Sequence, residues 1–86
     1  GERLEAIAAE HRDAKSMLQE WSQAEGHGTP FYKDISRKGP DHAPVFTVEV
    51  VAGKLKPERA TGTSKREAQG AAASALLARE GVAIEP

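Results

Sequence analysis

Residues 64–78 read SKREAQGAAASALLA, and this stretch decides the fold because it encodes one well-capped helix with a small apolar face. Ser64, followed three residues later by Glu67, forms a capping box in which the hydroxyl and the carboxylate satisfy backbone N–H groups at the helix start. Gly81 is expected to end the helix as its C′ residue, with Val82 placed for the accompanying apolar contact.

The predicted buried face of this helix is made almost entirely of alanine. It consists of Ala68, Ala71, Ala72, Ala75 and Leu76. The whole chain of 86 residues has 15 alanines but only 15 Leu, Ile, Val and Phe residues together. We therefore expect a thin core, in which the helix lies close to a sheet. Gly70 lies in the interior of this helix, where a glycine lowers helix stability by about 1 kcal/mol relative to alanine.

The sequence before this helix is typical of β-strands. Residues 45–52 alternate apolar and polar side chains, as expected for a strand with one buried face. Shorter strands are predicted at 31–37 and 59–63, with turns formed by residues 38–40 and 53–57.

An earlier helix is predicted to begin at Asp13, a good N-cap residue, and to end at the turn-forming residues 26–30. Its apolar stripe is Ala14, Met17, Leu18, Trp21 and Ala24. In this stripe Trp21 is interpreted as a core residue rather than a stacking platform. The predicted fold is α+β with the order α-β-β-β-α, a three-stranded antiparallel sheet with two helices packed on one face.

Charge is distributed unevenly along the chain. The formal net charge is −1, yet residues 1–25 carry −3, residues 26–66 carry +4 and residues 67–86 carry −2. A basic middle between acidic ends predicts one positive face, which keeps nucleic-acid binding open.

Composition and motif content exclude several protein classes. The absence of cysteine excludes a disulfide scaffold and a thiolate zinc site. No apolar run reaches the ~20 residues of a membrane span, and no signal-peptide pattern is present, so we expect a cytoplasmic protein with no membrane partner. The three histidines lack metal-ligand spacing, and no catalytic motif occurs, so no catalytic or metal-binding residue is predicted.

Two cations at the start of the last helix require an explanation. Lys65 and Arg66 lie where the helix macrodipole is already positive, which costs roughly 0.3–1 kcal/mol per exposed cation. An anionic partner would relieve this repulsion, and free N–H groups at a helix start bind phosphate. The alternative, that both side chains simply point into water, stays open.

Two further groups of polar residues have a functional and a plain interpretation. The loop at 39–44 holds His42 between two prolines, so it should be stiff enough to enter a groove, or it is an ordinary hairpin connection. Gln19 and Glu20 lie on the polar side of the first helix and, taken alone, are typical of a solvated surface.

Three separated motifs resemble those of a known family. Residues 13–21 (DAKSMLQEW), 39–46 (GPDHAPVF) and 62–68 (GTSKREA), in this order, look like the motifs of a double-stranded-RNA-binding domain. The resemblance covers about Asp13 to Arg79 and is strong for the C-terminal domain of bacterial ribonuclease III. The α-β-β-β-α order of that family agrees with the order predicted from the residues.

The resemblance implies double-stranded RNA as the partner and three contacting regions. The first helix would lie in one minor groove, the loop with His42 would enter the next, and the start of the last helix would meet phosphates across the major groove between them. A carboxylate such as Glu20 accepts from a 2′-OH and repels phosphate, which favours RNA over DNA. The implied RNA-binding residues are Ser16, Gln19, Glu20, His42, Thr63, Ser64, Lys65 and Arg66.

The resemblance also implies a longer parent, a ribonuclease III that processes structured RNA such as ribosomal RNA precursors. Residues 1–12 would then be a leader from a missing N-terminal domain, 13–81 the binding domain and 82–86 a tail. The binding domain is expected to be a monomer without a cofactor or catalytic residues. Mg²⁺ and homodimer formation are expected of the missing catalytic domain.

Two alternatives remain at this stage. A domain of the same fold can serve protein–protein contact without RNA affinity, and it would then show little salt-sensitive RNA binding and a concentration-dependent dimer. An enzyme in its own right would show metal-dependent cleavage of duplex RNA by this chain alone, but residues 6–9 read AIAA where the acidic ribonuclease III signature is expected.

Overall fold

The order of elements is the one predicted from the sequence. The structure, a computed structural model, describes residues 13–82; the predicted leader at 1–12 and residues 83–86 of the tail lie outside the described residues. The elements are α1 (Ala14–Ala24), β1 (Phe31–Lys38), β2 (Val45–Val51), β3 (Glu58–Gly62) and α2 (Lys65–Arg79). The α+β fold with α-β-β-β-α order is therefore confirmed.

The three strands form one antiparallel sheet in the order β1-β2-β3. Asp34 is paired with Val48 and Ser36 with Thr47, so Ile35 is an extra residue that makes a β-bulge in β1. Bulges bend a strand and increase its twist. Here the bulge lies in the interior of β1, with paired residues on both sides of it.

The core lies between the sheet and the two helices. α2 packs against β2 and β3, and α1 packs against α2. The fully buried apolar residues are Leu18, Val48, Val50, Ala52, Ala68, Ala72, Ala73, Leu76 and Leu77. Four of these nine are alanines, so the prediction of a thin core with close helix–sheet contact is confirmed.

The buried face of α2 is rotated from the predicted one. Ala71 and Ala75 are only half-buried, whereas Ala73 and Leu77 are fully buried. The difference arises from tertiary packing. The sheet covers one side of α2 and α1 covers another, so buried residues extend to the side of α2 that faces α1. Leu77 joins the same cluster as Leu18 of α1.

The predicted stripe of α1 is correct except at its end. Trp21 packs against the core, as predicted, but Ala24 is exposed. The buried position is instead Ser22, whose hydroxyl donates to the Gly28 carbonyl at 2.6 Å. The chain after α1 folds back over this side of the helix, so a polar residue is buried with its hydrogen bond satisfied.

The start of α1 and the end of α2 follow the expected capping chemistry. The Asp13 carboxylate accepts from the Ser16 N–H at 2.8 Å, as an N-cap should. At the end of α2, Gly81 has φ +79° and its N–H donates to Ala78, while the Val82 N–H donates to Leu77. This pair of bonds is a Schellman motif, so the predicted C′ role of Gly81 is confirmed.

One glycine permits the close approach of α2 to the sheet. A Cβ at Gly62 would lie 2.6 Å from the Ala68 nitrogen and 2.9 Å from the Glu67 carbonyl carbon. Both are backbone atoms of the first turns of α2, which cannot move without shifting the helix. A Cβ at Gly70, by contrast, would have no atom within 4 Å.

These two glycines give a paired stability prediction. Gly62→Ala should destabilise the fold by about 1–3 kcal/mol, because overpacking against backbone forces α2 away from β3. Gly70→Ala should stabilise it by about 0.5–1 kcal/mol, because an unhindered helix position gains helix propensity. Thermal melts of the two variants against wild type measure both effects. A Gly62→Ala melt at or above the wild-type midpoint would contradict the close contact.

Candidate nucleic-acid interface

Two of the predicted contact regions meet in one place. A pocket of about 310 Å³ lies where the N-terminal ends of α1 and α2 approach the start of β1. We call it the interhelix pocket; its lining residues are Asp13, Lys15, Ser16, Gln19, Pro30, Tyr32 and Arg66. Three of the residues predicted to contact RNA therefore share one surface, although they come from opposite ends of the chain.

Helix geometry explains which residues reach this pocket. Ser16 and Gln19 are exposed and lie one turn apart on the same face of α1. Arg66 occupies the first turn of α2, next to the start of α1. Glu20 is exposed on α1 beside Gln19 but does not line the pocket.

A lysine that the sequence analysis did not predict as a contact residue is central to the pocket. The Lys15 ammonium donates to the Gln69 side-chain carbonyl at 2.7 Å and lies 5.2 Å from the centre of the Tyr32 ring. Both interactions hold the side chain across the gap between α1 and α2. The available signal was its position, at the edge of the apolar stripe and directly before Ser16.

Two residues of the interhelix pocket have shifted pKa values, Asp13 and Tyr32. The Ser16 backbone N–H lowers the pKa of the Asp13 carboxyl most, and the charges of Lys15 and Arg66 lower it further. Burial raises the pKa of Tyr32 to about 12, and the Asp13 charge adds to this effect. The tyrosine is therefore neutral at pH 7. Its buried hydroxyl has no hydrogen-bond partner among the described residues.

Lys65 does not join Arg66 but faces a different pocket. Its ammonium lies 3.2 Å from an oxygen of Asp34, and both side chains are more than half exposed. The two residues line a second pocket of about 260 Å³ beside the β-bulge of β1, which also includes Arg37 and Phe46. Consecutive cations at the start of α2 thus line two different pockets.

The helix cap of α2 uses Glu67 differently from the prediction. The Ser64 hydroxyl accepts from the Glu67 N–H at 3.1 Å, as predicted. The Glu67 carboxylate, however, accepts from the N–H and the hydroxyl of Thr63, at 2.5 and 2.6 Å, rather than from the N–H of Ser64. The Thr63 hydroxyl proton is therefore already used within the cap, whereas the Ser64 hydroxyl still has a proton to donate.

His42 lies at the exposed tip of the β1–β2 loop. The Ala43 N–H donates to the Pro40 carbonyl at 2.9 Å, which closes a tight turn around the histidine. Tyr32 lies near the other end of the same hairpin, six residues before Lys38, a distance of ~20 Å at about 3.3 Å per strand residue. His42 therefore lies at the opposite end of the β1–β2 hairpin from the interhelix pocket.

Comparison with known proteins identifies the family. The profile described as "Double-stranded RNA binding motif" matches residues 14–79, which are most of the chain. The chain belongs to the double-stranded-RNA-binding domain family. The matched residues begin with the first residue of α1 and end with the last of α2, so the family match and the folded unit coincide.

Curated relatives of this double-stranded-RNA-binding domain are bacterial. It is 54% identical over 79 residues to "Ribonuclease 3" of Cereibacter sphaeroides strain ATCC 17025, covering 92% of this chain and 34% of that protein. It is 55% identical over 83 residues to "Ribonuclease 3" of Azorhizobium caulinodans, covering 96% of this chain and 35% of that protein. The chain spans about a third of the length of these relatives and matches their C-terminal region.

A solved structure supports the same assignment. The solution structure of the second dsRBD of DRB4 superposes on this domain with a TM-score of 0.59 at 32% identity. The match covers 78% of this chain and 93% of that one. The fold and the family are therefore consistent between sequence and structure.

The described residues contain neither a metal-ligand cluster nor a membrane-spanning helix. No three His, Cys, Asp or Glu side chains within residues 13–82 group closely enough to hold a metal ion. Neither of the two described helices has the length and apolar character that crossing a membrane requires.

The α2 cap gives a prediction of acid sensitivity. The hydroxyl and the N–H of Thr63 lower the pKa of Glu67 below its ordinary value of 4.5. A carboxyl with a lowered folded pKa contributes stability that is complete above its unfolded pKa and is lost as pH falls through the folded one. We therefore expect the melting temperature of the double-stranded-RNA-binding domain to fall more steeply below about pH 4.5 in wild type than in Glu67→Gln.

Thr63→Val is the matched variant for this experiment. It keeps the Glu67 carboxylate and the backbone N–H but removes the hydroxyl, which is the larger cause of the lowered pKa. Its acid slope should lie between those of wild type and Glu67→Gln. Identical slopes for all three proteins between about pH 5 and pH 3 would remove Glu67 from the acid transition.

Proposed function

We propose that this chain binds double-stranded RNA by its A-form shape, as the substrate-binding domain of a ribonuclease III. The family match over residues 14–79 carries this proposal. The parent would process structured RNA such as ribosomal RNA precursors in the cytoplasm. The relatives in support are bacterial proteins named "Ribonuclease 3".

The arrangement of side chains fits the grooves of A-form RNA. Such RNA presents 2′-hydroxyls in a wide, shallow minor groove, and its deep major groove is reached only along the phosphates. Ser16, Gln19 and Glu20 on α1 can exchange hydrogen bonds with 2′-hydroxyls and base edges in one minor groove. His42, in the β1–β2 loop, would enter the next minor groove.

The start of α2 would meet the phosphates across the major groove between these two regions. Lys65 and Arg66 supply charge there, and the Ser64 hydroxyl keeps a free proton for a phosphate oxygen. Thr63 was predicted as a contact too, but its hydroxyl proton is engaged by Glu67. In this proposal Thr63 therefore contributes through the helix cap rather than through a phosphate.

The proposal assigns binding to this chain and bond cleavage to the rest of the parent. Residues 13–81 would form the binding domain, with a leader at 1–12 and a tail at 82–86. The domain would act as a monomer without a cofactor. Mg²⁺-dependent hydrolysis and homodimer formation would belong to the catalytic domain of the parent.

A titration with a ~20 bp RNA duplex tests the function directly, because domains of this family span roughly 16 bp. We expect RNA duplex to bind more tightly than the same-sequence DNA duplex or single-stranded RNA, and more weakly at higher salt. Equal, salt-insensitive binding of all three would instead favour the protein-interaction alternative. Cleavage of the duplex by this chain in the presence of Mg²⁺ would contradict the division of labour proposed above.

Substitutions of Lys65 and of Asp34 are expected to change RNA affinity in opposite directions. Lys65→Ala should weaken RNA binding and lower the slope of log affinity against log salt by about 0.7–0.9, the value of one phosphate contact. Asp34→Asn should strengthen binding about two- to fivefold, because it frees Lys65 from an exposed ion pair worth at most about 1 kcal/mol. Salt-dependent titrations of both variants measure these effects. If Asp34→Asn weakens binding, Lys65 does not contact phosphate.

A further inference from the structure

We infer that Lys15 is a further RNA-contacting residue, and that Lys15 and Arg66 together hold one backbone phosphate of the RNA in the interhelix pocket. This inference rests on the function proposed above. It adds a cation from α1 to the phosphate-binding surface at the start of α2. The RNA-contacting side of α1 and the start of α2 then form one continuous binding surface instead of two separate ones.

Ion pairing and position together select these two cations. Five Lys and Arg side chains pair with carboxylates of the described residues: Lys33, Arg37, Arg59, Lys65 and Arg79. Lys15, Lys38, Lys54, Lys56 and Arg66 form no ion pair with any residue of 13–82, and of these five only Lys15 and Arg66 line the interhelix pocket. Two charges of the same sign in one pocket repel each other, and a shared anion relieves that repulsion.

The Lys15 ammonium is positioned without being neutralised. Its hydrogen-bond acceptor is the uncharged amide of Gln69, and the Tyr32 ring supports it from another side. An amide acceptor fixes the side chain but leaves its full charge available to a ligand. The lysine is also half-buried, so little side-chain entropy remains to be lost when a phosphate binds.

The other charges of the pocket leave it positive. Asp13 is the only acidic residue among those lining it, and its carboxylate already accepts the Ser16 N–H. Two cations and one carboxylate give a formal charge of +1, which suits a single phosphodiester. Ser16 and Gln19 line the same pocket, so a phosphate held there would lie beside the side chains proposed to reach the minor groove.

A double-mutant cycle on RNA affinity tests the shared phosphate. Lys15→Gln and Arg66→Gln remove the charges but keep polar side chains, and each should weaken binding of the ~20 bp RNA duplex about fivefold or more. The double variant should lose less than the product of the two single losses, because both cations hold the same phosphate. Lys15→Gln with Lys65→Gln should lose the full product, because Lys65 faces the other pocket.

Salt dependence separates a charge contact from a structural role of Lys15. Lys15→Gln should lower the salt slope, by up to about 0.9 for a lost phosphate contact, whereas a variant that only loosens the helix pair would keep the wild-type slope. Lys15→Arg should restore both affinity and slope. Lys54→Ala removes an exposed lysine of the β2–β3 turn and serves as the control that should change neither.

The outcomes distinguish this inference from the proposed function. Lys15→Gln that melts like wild type and binds duplex RNA with wild-type affinity and slope would overturn the role of Lys15. Losses that multiply for Lys15→Gln with Arg66→Gln would overturn the shared phosphate. Failure of the wild-type chain itself to prefer duplex RNA would overturn the proposed function instead. Added inorganic phosphate at constant ionic strength should compete with RNA in wild type more than in the double variant.

Discussion

The close contact between α2 and the sheet is the constraint on which the rest of this domain depends. Gly62 lets the first turns of α2 touch β3 at backbone distance, and an alanine face with Leu76 and Leu77 continues that contact along the helix. With so few large side chains, the core has little tolerance for a shift in any one element. The position of α2 then fixes the position of α1, because Leu18 packs into the same cluster.

This packing determines how the cations at the helix start are divided. Consecutive residues of a helix differ by about 100° in direction, so one helix start can supply two surfaces. Lys65 lies beside the β-bulge of β1, where it forms an ion pair with Asp34, and Arg66 lies beside α1. A pair of basic residues in the sequence is therefore not one basic patch in the fold. The two residues have different neighbours and should contribute to binding independently.

The sequence predicted what depends on local chemistry and missed what depends on tertiary contacts. Apolar periodicity, the Asp13 and Ser64 caps and the Gly81 terminus are local, and they gave the elements and their order correctly. The burial of Leu77 depends on where α1 lies, which no periodicity in α2 can reveal. The same holds for the site: Ser16 and Arg66 were predicted as separate contacts, but their shared pocket and the cation of Lys15 emerge only when the helices are packed together.

A protein with a net charge of −1 can carry a locally positive binding surface because its charges are unevenly distributed. The register of the sheet aligns Lys33, Glu49 and Arg59 across three strands, and Glu49 pairs with both cations. Two cations and one carboxylate leave this part of the sheet with a formal charge of +1. Arg79, by contrast, is compensated by Glu58 and Glu80. The interhelix pocket has the same formal excess of +1, and attraction of a polyanion depends on such a local excess rather than on the total.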